Sequence, residues 1–400
     1  MDSTNHRCFA PCPRGLEALL QQELGVIGAT DLRQAEGGVG FSGNLSIIYR
    51  ANLESRIASR ILLEVAHGPY RHEQDIYVAA CSIPWPQWFH PSRTIKVKTS
   101  AQHCPLKSID FVTLRIKDAI CDTFTKLKGT RPSVNSSRPD IRIDAFLDAT
   151  HLTLYLGTTG DSLFKRGFRQ STVEAPLREN LAAGIVQLTG WNGTTPLLDP
   201  LCGGGTIPLE AAMIARRIAP GLGRHFAFEL FSNFDPALWK TIQARAQANQ
   251  LSASPVPIYA SDRDARAVHT AAEQFTRAGV ARDITLTHID LFDLTPPQEP
   301  GIIVMNPPYG VRLGTQADLD VFYPKLGSWL KTRCVGWRVY LFTGDLRAPK
   351  LIGLAPSKRT PLFNGAIECR LYEFLIVQGG ARRRLVSPTQ TTPDIHGAAG

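Results

Sequence analysis

The sequence predicts an α/β protein in two parts, an N-terminal α+β region followed by a C-terminal region with a mostly parallel sheet. From residue 196 onward, short apolar runs alternate with helical patterns, the order that builds a parallel sheet covered on both faces. Before about residue 160, strand-like and helix-like runs follow no such alternation. The chain has 400 residues, more than one hydrophobic core usually spans, so at least two domains are expected.

The N-terminal region mixes helical and alternating patterns of apolar residues. Residues 37–43, GGVGFSG, predict a glycine-rich turn region, and residues 52–66 predict an amphipathic helix. The other predicted elements are helices at 16–24 and 111–127 and strands at 94–101, 141–148 and 151–157.

The C-terminal region opens with a predicted helix at 175–191, whose early proline suits a helix start. The elements that follow are a strand and glycine loop at 195–206, strands at 256–264, 284–292, 301–310 and 337–345, and helices at 207–218, 265–280 and 318–331. Two strand-like runs then flank Asn364-Gly365, a strong signal for an antiparallel hairpin. The polar residues 381–400 predict a disordered tail.

Composition narrows the class of protein. The net charge of +9 favours a polyanionic partner such as nucleic acid. We expect no membrane span, because no run of 18 apolar residues occurs, and no secretory leader at the N-terminus. Eight scattered cysteines without a CxxC pair predict reduced thiols and no metal site, which fits a cytoplasmic protein.

The glycine loop LLDPLCGGGT follows the first strand of the parallel sheet, where ligands of such sheets bind. A P-loop is excluded, because the chain has no GxxxxGK[ST] match. Gly203 and Gly205 fit the first two glycines of a dinucleotide fingerprint, but Pro208 stands where its third glycine belongs. The remaining cofactor class is S-adenosylmethionine.

Acidic residues end the next two strands. Asp262 is placed to accept both hydroxyls of a ribose, and Asp290 to accept from an adenine amino group. The alternative for each of these residues, and for Asp264, is a helix cap or a turn. The alignment of acidic strand ends with a glycine loop favours the nucleoside site.

The fourth strand ends in Asn306-Pro307-Pro308-Tyr309. Proline stiffens this segment and fixes the direction of its carbonyls. The Asn306 side-chain oxygen and the Pro307 carbonyl could accept both N–H bonds of an exocyclic amine and direct its lone pair at a methyl donor. Tyr309 could stack on a flipped base. The alternative is a simple turn, and the motif leaves adenine N6, guanine N2 and glutamine amides open as targets.

These motifs resemble a known family. The C-terminal half resembles a Rossmann-like class I methyltransferase, through LLDPLCGGGT and NPPYG, and the N-terminal half resembles a THUMP RNA-binding domain. Strings such as GDSLFKRGFRQSTVEAPLRENLAA and RTPLFNGAIECRLYEFLI are similar to the THUMP-containing guanine N2-methyltransferases of the RlmL type. That resemblance implies a ferredoxin-like subdomain at 1–45, a THUMP domain at 46–160 and a methyltransferase domain at 161–380.

The resemblance also implies a site. The residues that should bind S-adenosylmethionine are Asp199, Gly203, Gly205, Thr206, Asp262 and Asp290, with Glu179 and Asn180 flanking its methionine end. Asn306, Pro307 and Tyr309 should be catalytic. The loop departs from the family's CGSGT at Gly204, which should be tolerated, and Val311 replaces an acidic residue often found after NPPYG.

The implied partner is RNA, most simply ribosomal RNA of the large subunit. Basic residues interleaved with aromatics between the two halves suit looped or single-stranded RNA, and the candidate contacts are Lys165, Arg166, Phe168, Arg169 and Arg312. Three other functions stay open: a transfer RNA methyltransferase, a DNA adenine methyltransferase, and a non-catalytic RNA-binding assembly factor.

Overall fold

The structure is a computed structural model, and it describes residues 4–169, 177–307 and 316–378. The strands are β1 (His6–Pro11), β2 (Thr30–Ala35), β3 (Gly38–Gly43), β4 (Leu62–Pro69), β5 (Ile95–Ala101), β6 (Ile141–Leu147), β7 (His151–Gly157), β8 (Leu197–Asp199), β9 (Ile258–Asp262), β10 (Ile284–His288), β11 (Ile302–Met305), β12 (Arg338–Thr343), β13 (Lys358–Asn364) and β14 (Ile367–Leu375). The helices are α1 (Glu17–Ile27), α2 (Leu45–Glu54), α3 (Glu73–Cys81), α4 (Trp85–Trp88), α5 (Ile109–Lys128), α6 (Glu179–Leu188), α7 (Thr206–Ala215), α8 (Pro236–Ala248), α9 (Ala265–Arg277), α10 (Gln316–Arg333) and α11 (Ala348–Ile352).

The N-terminal region is built on one seven-stranded sheet with the order β2-β3-β1-β4-β7-β6-β5. Its neighbours pair antiparallel except β5 and β6, which run parallel. The pairing of Cys8 with Leu63 and of Phe9 with Leu62 joins β1 to β4. The predicted boundary at residue 45 therefore falls between β3 and β4 of one continuous sheet, and the division into domains stays a prediction.

The predicted glycine-rich turn at residues 37–43 is wrong for most of its length, because Gly38 to Gly43 form β3. A Cβ atom on Gly38 would lie 2.5 Å from the ring of Phe9, so glycine lets the two strands approach closely. Only Gly37, with a φ of +78°, serves the turn that was expected.

The predicted helix at residues 52–66 is also wrong, because the chain leaves α2 at Ser55 and continues to β4. Glu23 of α1 explains the break. Its carboxylate accepts hydrogen bonds from the Ser55 hydroxyl at 2.6 Å and from the backbone N–H groups of Arg56 at 2.7 Å and Ile57 at 3.3 Å. These donors are satisfied by a distant side chain instead of by helical carbonyls, which local periodicity cannot reveal.

The C-terminal region is built on a second seven-stranded sheet with the order β10-β9-β8-β11-β12-β14-β13. The first five strands are parallel, and β14 pairs antiparallel with both β12 and β13. The predicted hairpin is confirmed, since Asn364 pairs with Ile367 across the turn. The predicted mostly parallel sheet with an antiparallel end is therefore confirmed.

Helix α8 lies in a long connection between α7 and β9 that the sequence analysis did not resolve into elements. This connection packs on the N-terminal region through Tyr49 of α2. The Tyr49 ring stacks on Phe228 with ring centroids 4.3 Å apart, and its hydroxyl accepts a hydrogen bond from the backbone N–H of Asp235 at 3.1 Å. This contact joins the connection between α7 and β9 to α2 of the N-terminal region.

Candidate active site

The carboxyl ends of β8 to β11 meet around a cavity of about 1150 Å³. Because β8 and β11 are neighbours but not consecutive in the chain, the strand order reverses at this point, where open parallel sheets bind ligands. The predicted site residues that line the cavity are Arg169, Asp199, Gly203, Thr206, Asp262, Asp290 and Asn306.

The glycine loop connects β8 to α7 in a conformation that needs glycine at two positions. Gly203 and Gly205 have φ values of +53° and +82°. A Cβ atom on Gly205 would also lie 2.6 Å from the ring of Phe275, so a larger residue is excluded there. Gly204 has an ordinary φ, and a Cβ atom on it would lie 3.2 Å from the flexible end of Gln274. The serine that the family usually has at position 204 therefore fits this loop.

Two of the acidic strand ends hold the backbone around the cavity. The carboxylate of Asp262 accepts hydrogen bonds from the N–H groups of Gly203 at 2.8 Å and Asp264 at 2.9 Å, which ties the end of β9 to the glycine loop. Asp290 accepts from the N–H of Phe292 at 2.9 Å. A carboxylate has about four acceptor sites, so both residues keep acceptors for a ligand. Asp264 instead caps α9, as the alternative interpretation expected.

Asp199 at the end of β8 is 1% exposed. Burial raises the pKa of its carboxyl well above the usual range, and the charge of Asp262 adds to that rise. The N–H of Leu201 donates to it at 3.1 Å. A buried carboxylate in a cavity wall favours a cationic ligand, because a positive charge would offset its desolvation.

Asn306 follows β11 directly and lines the cavity beside Asp199. Its side-chain oxygen is buried, and no residue in the described ranges donates a hydrogen bond to it. Buried polar atoms are normally satisfied, so an orphaned acceptor at this position suits a ligand that brings its own N–H. Pro307 is buried beside it, whereas the predicted residues Tyr309 and Arg312 lie outside the described residues.

The two residues predicted to flank the methionine end lie at the start of α6, and neither is among the described residues that line the cavity. Glu179 reaches the cavity indirectly, through an ion pair with Arg169 at 3.5 Å. Burial raises the pKa of Glu179, although the charge of Arg169 opposes that rise. Asn180 faces the N-terminal region, where its amide donates to the Ile57 carbonyl at 3.2 Å and the Ser59 hydroxyl at 3.1 Å.

The predicted RNA contacts divide among different environments. Lys165 is exposed and pairs with Asp161 at 3.3 Å. Arg166 is buried, and its guanidinium pairs with Glu210 at 3.1 Å and donates to the Leu163 carbonyl at 2.8 Å. The prediction of an RNA contact is therefore wrong for Arg166, because its charge is already used inside the protein.

The other two residues of this basic segment also turn inward. Phe168 is half-buried against the core, and its carbonyl accepts from Arg277 at 2.9 Å. Arg169 lies in the cavity wall, where it donates to the Thr206 hydroxyl at 3.2 Å. The segment thus supplies one exposed cation, and the structure brings its last arginine to the end of the glycine loop.

The first turns of α10 supply lining residues that the sequence analysis missed. Val321, Phe322 and Lys325 of this helix line the cavity. Val321 is 57% exposed, so this large apolar side chain is open to a ligand in the cavity. The available signal was the position of this helix immediately after the NPPYG motif.

In the described ranges, no group of three or more His, Cys, Asp or Glu side chains is arranged to hold a metal ion. No helix in the same part of the chain is long and apolar enough to cross a membrane.

Family models match three consecutive parts of the chain. An RlmL ferredoxin-like domain matches residues 7–62, a THUMP domain matches 70–157, and an RMKL-like methyltransferase domain matches 166–373. The predicted combination of a THUMP-type domain with a class I methyltransferase fold is confirmed by these matches and by the structural relatives.

Individual relatives cover most of this chain. The Synechocystis sp. protein slr0064, named as a candidate RNA methyltransferase, is 35% identical over 93% of this chain and 97% of its own length. The ribosomal RNA large subunit methyltransferase K/L of Cellvibrio japonicus is 38% identical over 93% of this chain, but the match spans 51% of its own length. The chain therefore spans about half the length of the K/L relatives.

A solved structure extends the similarity to three dimensions. SMU.472, a candidate methyltransferase crystallised with SAH, matches with a TM-score of 0.86 and 29% identity, over 94% of this chain and 100% of that chain. The chain belongs to the family of RMKL-like methyltransferases that carry an RlmL ferredoxin-like domain and a THUMP domain.

Proposed function

We propose that this protein methylates the exocyclic N2 amine of a guanosine in RNA, namely ribosomal RNA of the large subunit, with S-adenosylmethionine as the methyl donor. The observation that carries the proposal is the buried side-chain oxygen of Asn306 in the wall of the cavity, to which no residue of the described ranges donates a hydrogen bond. The names of the K/L relatives support ribosomal RNA as the substrate. The SAH bound to SMU.472 supports the cofactor.

The cavity fits such a cofactor by the chemistry of its walls. The glycine loop lets a ligand approach its backbone closely, because Gly203 and Gly204 in the cavity wall carry no side chain. Asp262 and Asp290 keep acceptor capacity for ribose hydroxyls and an adenine amino group. Asp199 supplies a buried carboxyl whose ionised form a cationic ligand would stabilise. When bound, S-adenosylmethionine supplies an electrophilic methyl group.

The residues after β11 act on the amine. The Asn306 oxygen and the Pro307 carbonyl would each accept one N–H bond of guanine N2, whose lone pair is otherwise delocalised into the ring. Holding both hydrogens on one side would direct that lone pair at the methyl donor. Positioning and preorganised acceptors would then supply most of the catalysis. The nitrogen would release one proton to solvent after transfer.

The N-terminal region would hold the RNA. The THUMP match at residues 70–157 and the net charge of +9 both favour a polyanionic substrate. Lys165 is the one described residue of the basic segment 164–169 whose cation is exposed at the surface, where its pair with the exposed Asp161 can be exchanged for a phosphate, and we retain it as an RNA contact. An rRNA substrate would place the enzyme in the cytoplasm.

The direct test incubates the protein with labelled S-adenosylmethionine and fractionated RNA from cells that lack it, followed by mass spectrometry of the nucleosides. We expect N2-methylguanosine in large-subunit RNA. Asn306→Ala should lower the rate by about 100-fold or more, because it removes one preorganised partner of the transition state. Cofactor affinity should stay within about threefold, and Asn192→Ala, an exposed loop residue, is the matched control.

Other products would redirect the proposal. N2-methylguanosine in transfer RNA would keep the chemistry and change the substrate. Transfer to adenine in DNA would contradict the proposed role of the N-terminal region. Tight cofactor binding without transfer to naked RNA or to ribosomal particles would favour the non-catalytic assembly factor.

A further inference from the structure

Arg169 occupies a position that its sequence context did not predict. Its side chain is 23% exposed and lies in the cavity wall beside the first turn of α7. One terminal nitrogen of its guanidinium donates to the Thr206 hydroxyl at 3.2 Å and to the Leu177 carbonyl at 3.4 Å. The carboxylate of Glu179 lies 3.5 Å away and holds the group electrostatically.

The guanidinium has donors to spare. Arginine carries five N–H donors in a planar fork, and only one nitrogen of Arg169 has a hydrogen-bond partner in the ranges that the structure describes. The other two nitrogens can therefore donate to a ligand. These two nitrogens, Nε and Nη1, do not form a parallel pair, since each parallel pair of a guanidinium includes Nη2, but each can donate one charge-assisted hydrogen bond to a carboxylate oxygen.

The charges of the cavity make this cation distinctive. Acidic side chains dominate the inner walls, with Asp199, Asp262 and Asp290 at three strand ends. The other described cations of the lining, Arg263, Arg266 and Lys325, are all exposed, and Arg266 is 95% exposed. Arg169 is thus the one partly buried positive charge that the described lining offers to a negative group.

S-adenosylmethionine needs such a partner. Its sulfonium and ammonium groups suit the acidic walls, but its carboxylate would be repelled by them. The first turn of α7 lies beside Arg169 and also favours negative charge, because the N–H groups of a helix N-terminus point outward there.

We propose that Arg169 binds the carboxylate of the methionine moiety of S-adenosylmethionine, with Glu179 and Thr206 holding its guanidinium in place. This inference rests on the proposed cofactor and deepens it. It replaces the predicted RNA contact of Arg169 and gives Glu179 a role at the methionine end without direct contact with the cofactor.

The test compares two ligands that differ in one group. S-adenosylmethionine and decarboxylated S-adenosylmethionine are titrated by calorimetry into the wild-type protein and into the Arg169→Gln variant. The variant should bind S-adenosylmethionine about 10- to 100-fold more weakly, the range expected for hydrogen bonds to a charged group. It should bind the decarboxylated ligand within about threefold of the wild type, and Arg169→Lys should recover part of the lost affinity.

Lys165→Gln is the matched control, because it removes an exposed cation of the same segment. Equal weakening of both ligands by Arg169→Gln would overturn the proposal and indicate a structural role. Unchanged affinity for both ligands, with weaker RNA binding, would overturn it in favour of the RNA contact. Cofactor binding does not require RNA, so a protein that shows the expected difference but methylates no RNA would keep this inference and lose the proposed substrate.

Discussion

The basic segment at residues 164–169 runs beside helix α7, and its two arginines meet that helix in different ways. Arg166 pairs with Glu210 in the second turn, where the two side chains are 1% and 0% exposed. Arg169 meets Thr206 in the first turn, at the edge of the cavity. Three residues of sequence therefore separate a charge enclosed between the N-terminal and C-terminal regions from a charge in the wall of the cavity.

The difference lies in how many donors each arginine has used. All three nitrogens of Arg166 have partners inside the protein: the Glu210 carboxylate and the carbonyls of Leu163 and Arg56. Arg169 keeps two nitrogens without a described partner. Variants of Arg166 should therefore change the stability of the protein, and variants of Arg169 should change ligand binding.

The largest effect is expected from breaking the enclosed pair. Arg166→Met leaves the Glu210 charge buried without its partner, so the free energy of unfolding should fall by about 3–5 kcal/mol. Urea unfolding followed by circular dichroism measures this change. Replacing both residues, in Arg166→Met/Glu210→Met, should restore part of the loss, since the buried Glu210 charge is gone while the buried Arg56 beside it keeps Glu23 as a counter-charge.

Lys165→Met is the control for this prediction, because Lys165 is exposed and its pair with Asp161 should contribute little. A loss as large in the Lys165 variant, or no recovery in the double variant, would contradict the interpretation of an enclosed ion pair.

Some features of the structure have local signals in the sequence and can be predicted from it. The strand-helix alternation after residue 196 and the Asn364-Gly365 turn predicted the second sheet and its hairpin, because their signals are local. Asp235 followed by Pro236 is an equally local start signal for α8.

Other features depend on contacts between distant residues. The end of α2 is set by Glu23, which lies more than 30 residues before the donors it binds. The position of α7 determines that Arg166 is buried and that Arg169 lies in the cavity wall. Nothing in the string FKRGFR distinguishes the two arginines. The glycine loop and the acidic strand ends were predictable because parallel strands bring their carboxyl ends together, whereas the lining by Val321 and Phe322 depends on the placement of α10.

A smaller effect is expected in the glycine loop, which directly precedes α7. Gly205→Ala forces a side chain into a left-handed backbone, which costs about 1–2 kcal/mol, and into the Phe275 ring, which adds about 1–3 kcal/mol. Gly204→Ser should change stability and cofactor affinity much less, because its φ is ordinary and only the side-chain amide of Gln274, which donates to the Gly204 carbonyl at 2.9 Å, must shift slightly.

Thermal unfolding with and without S-adenosylmethionine measures both glycine variants. The Gly205 variant should unfold at a lower temperature and gain less from the cofactor. Similar behaviour of the two variants would contradict the conformation described for this loop.

The smallest effect is a pH dependence that originates at Asp199. Burial raises the pKa of this carboxyl in the folded protein above the value of about 3.9 that it has when unfolded. Its contribution to stability is therefore fully present below about pH 4 and is lost as pH rises through the folded-state pKa. Asp199→Asn removes this titration and keeps an oxygen that can accept from Leu201, so its unfolding free energy should exceed that of the wild type by a margin that grows from pH 4 upward and then levels off.

S-adenosylmethionine should reduce the margin, because a cationic ligand stabilises the charged carboxylate but not the amide. A margin that stays constant with pH would mean that burial does not penalise the ionised form of Asp199. The contrast between the paired charge of Arg166 and the cavity carboxyl of Asp199 would then be wrong.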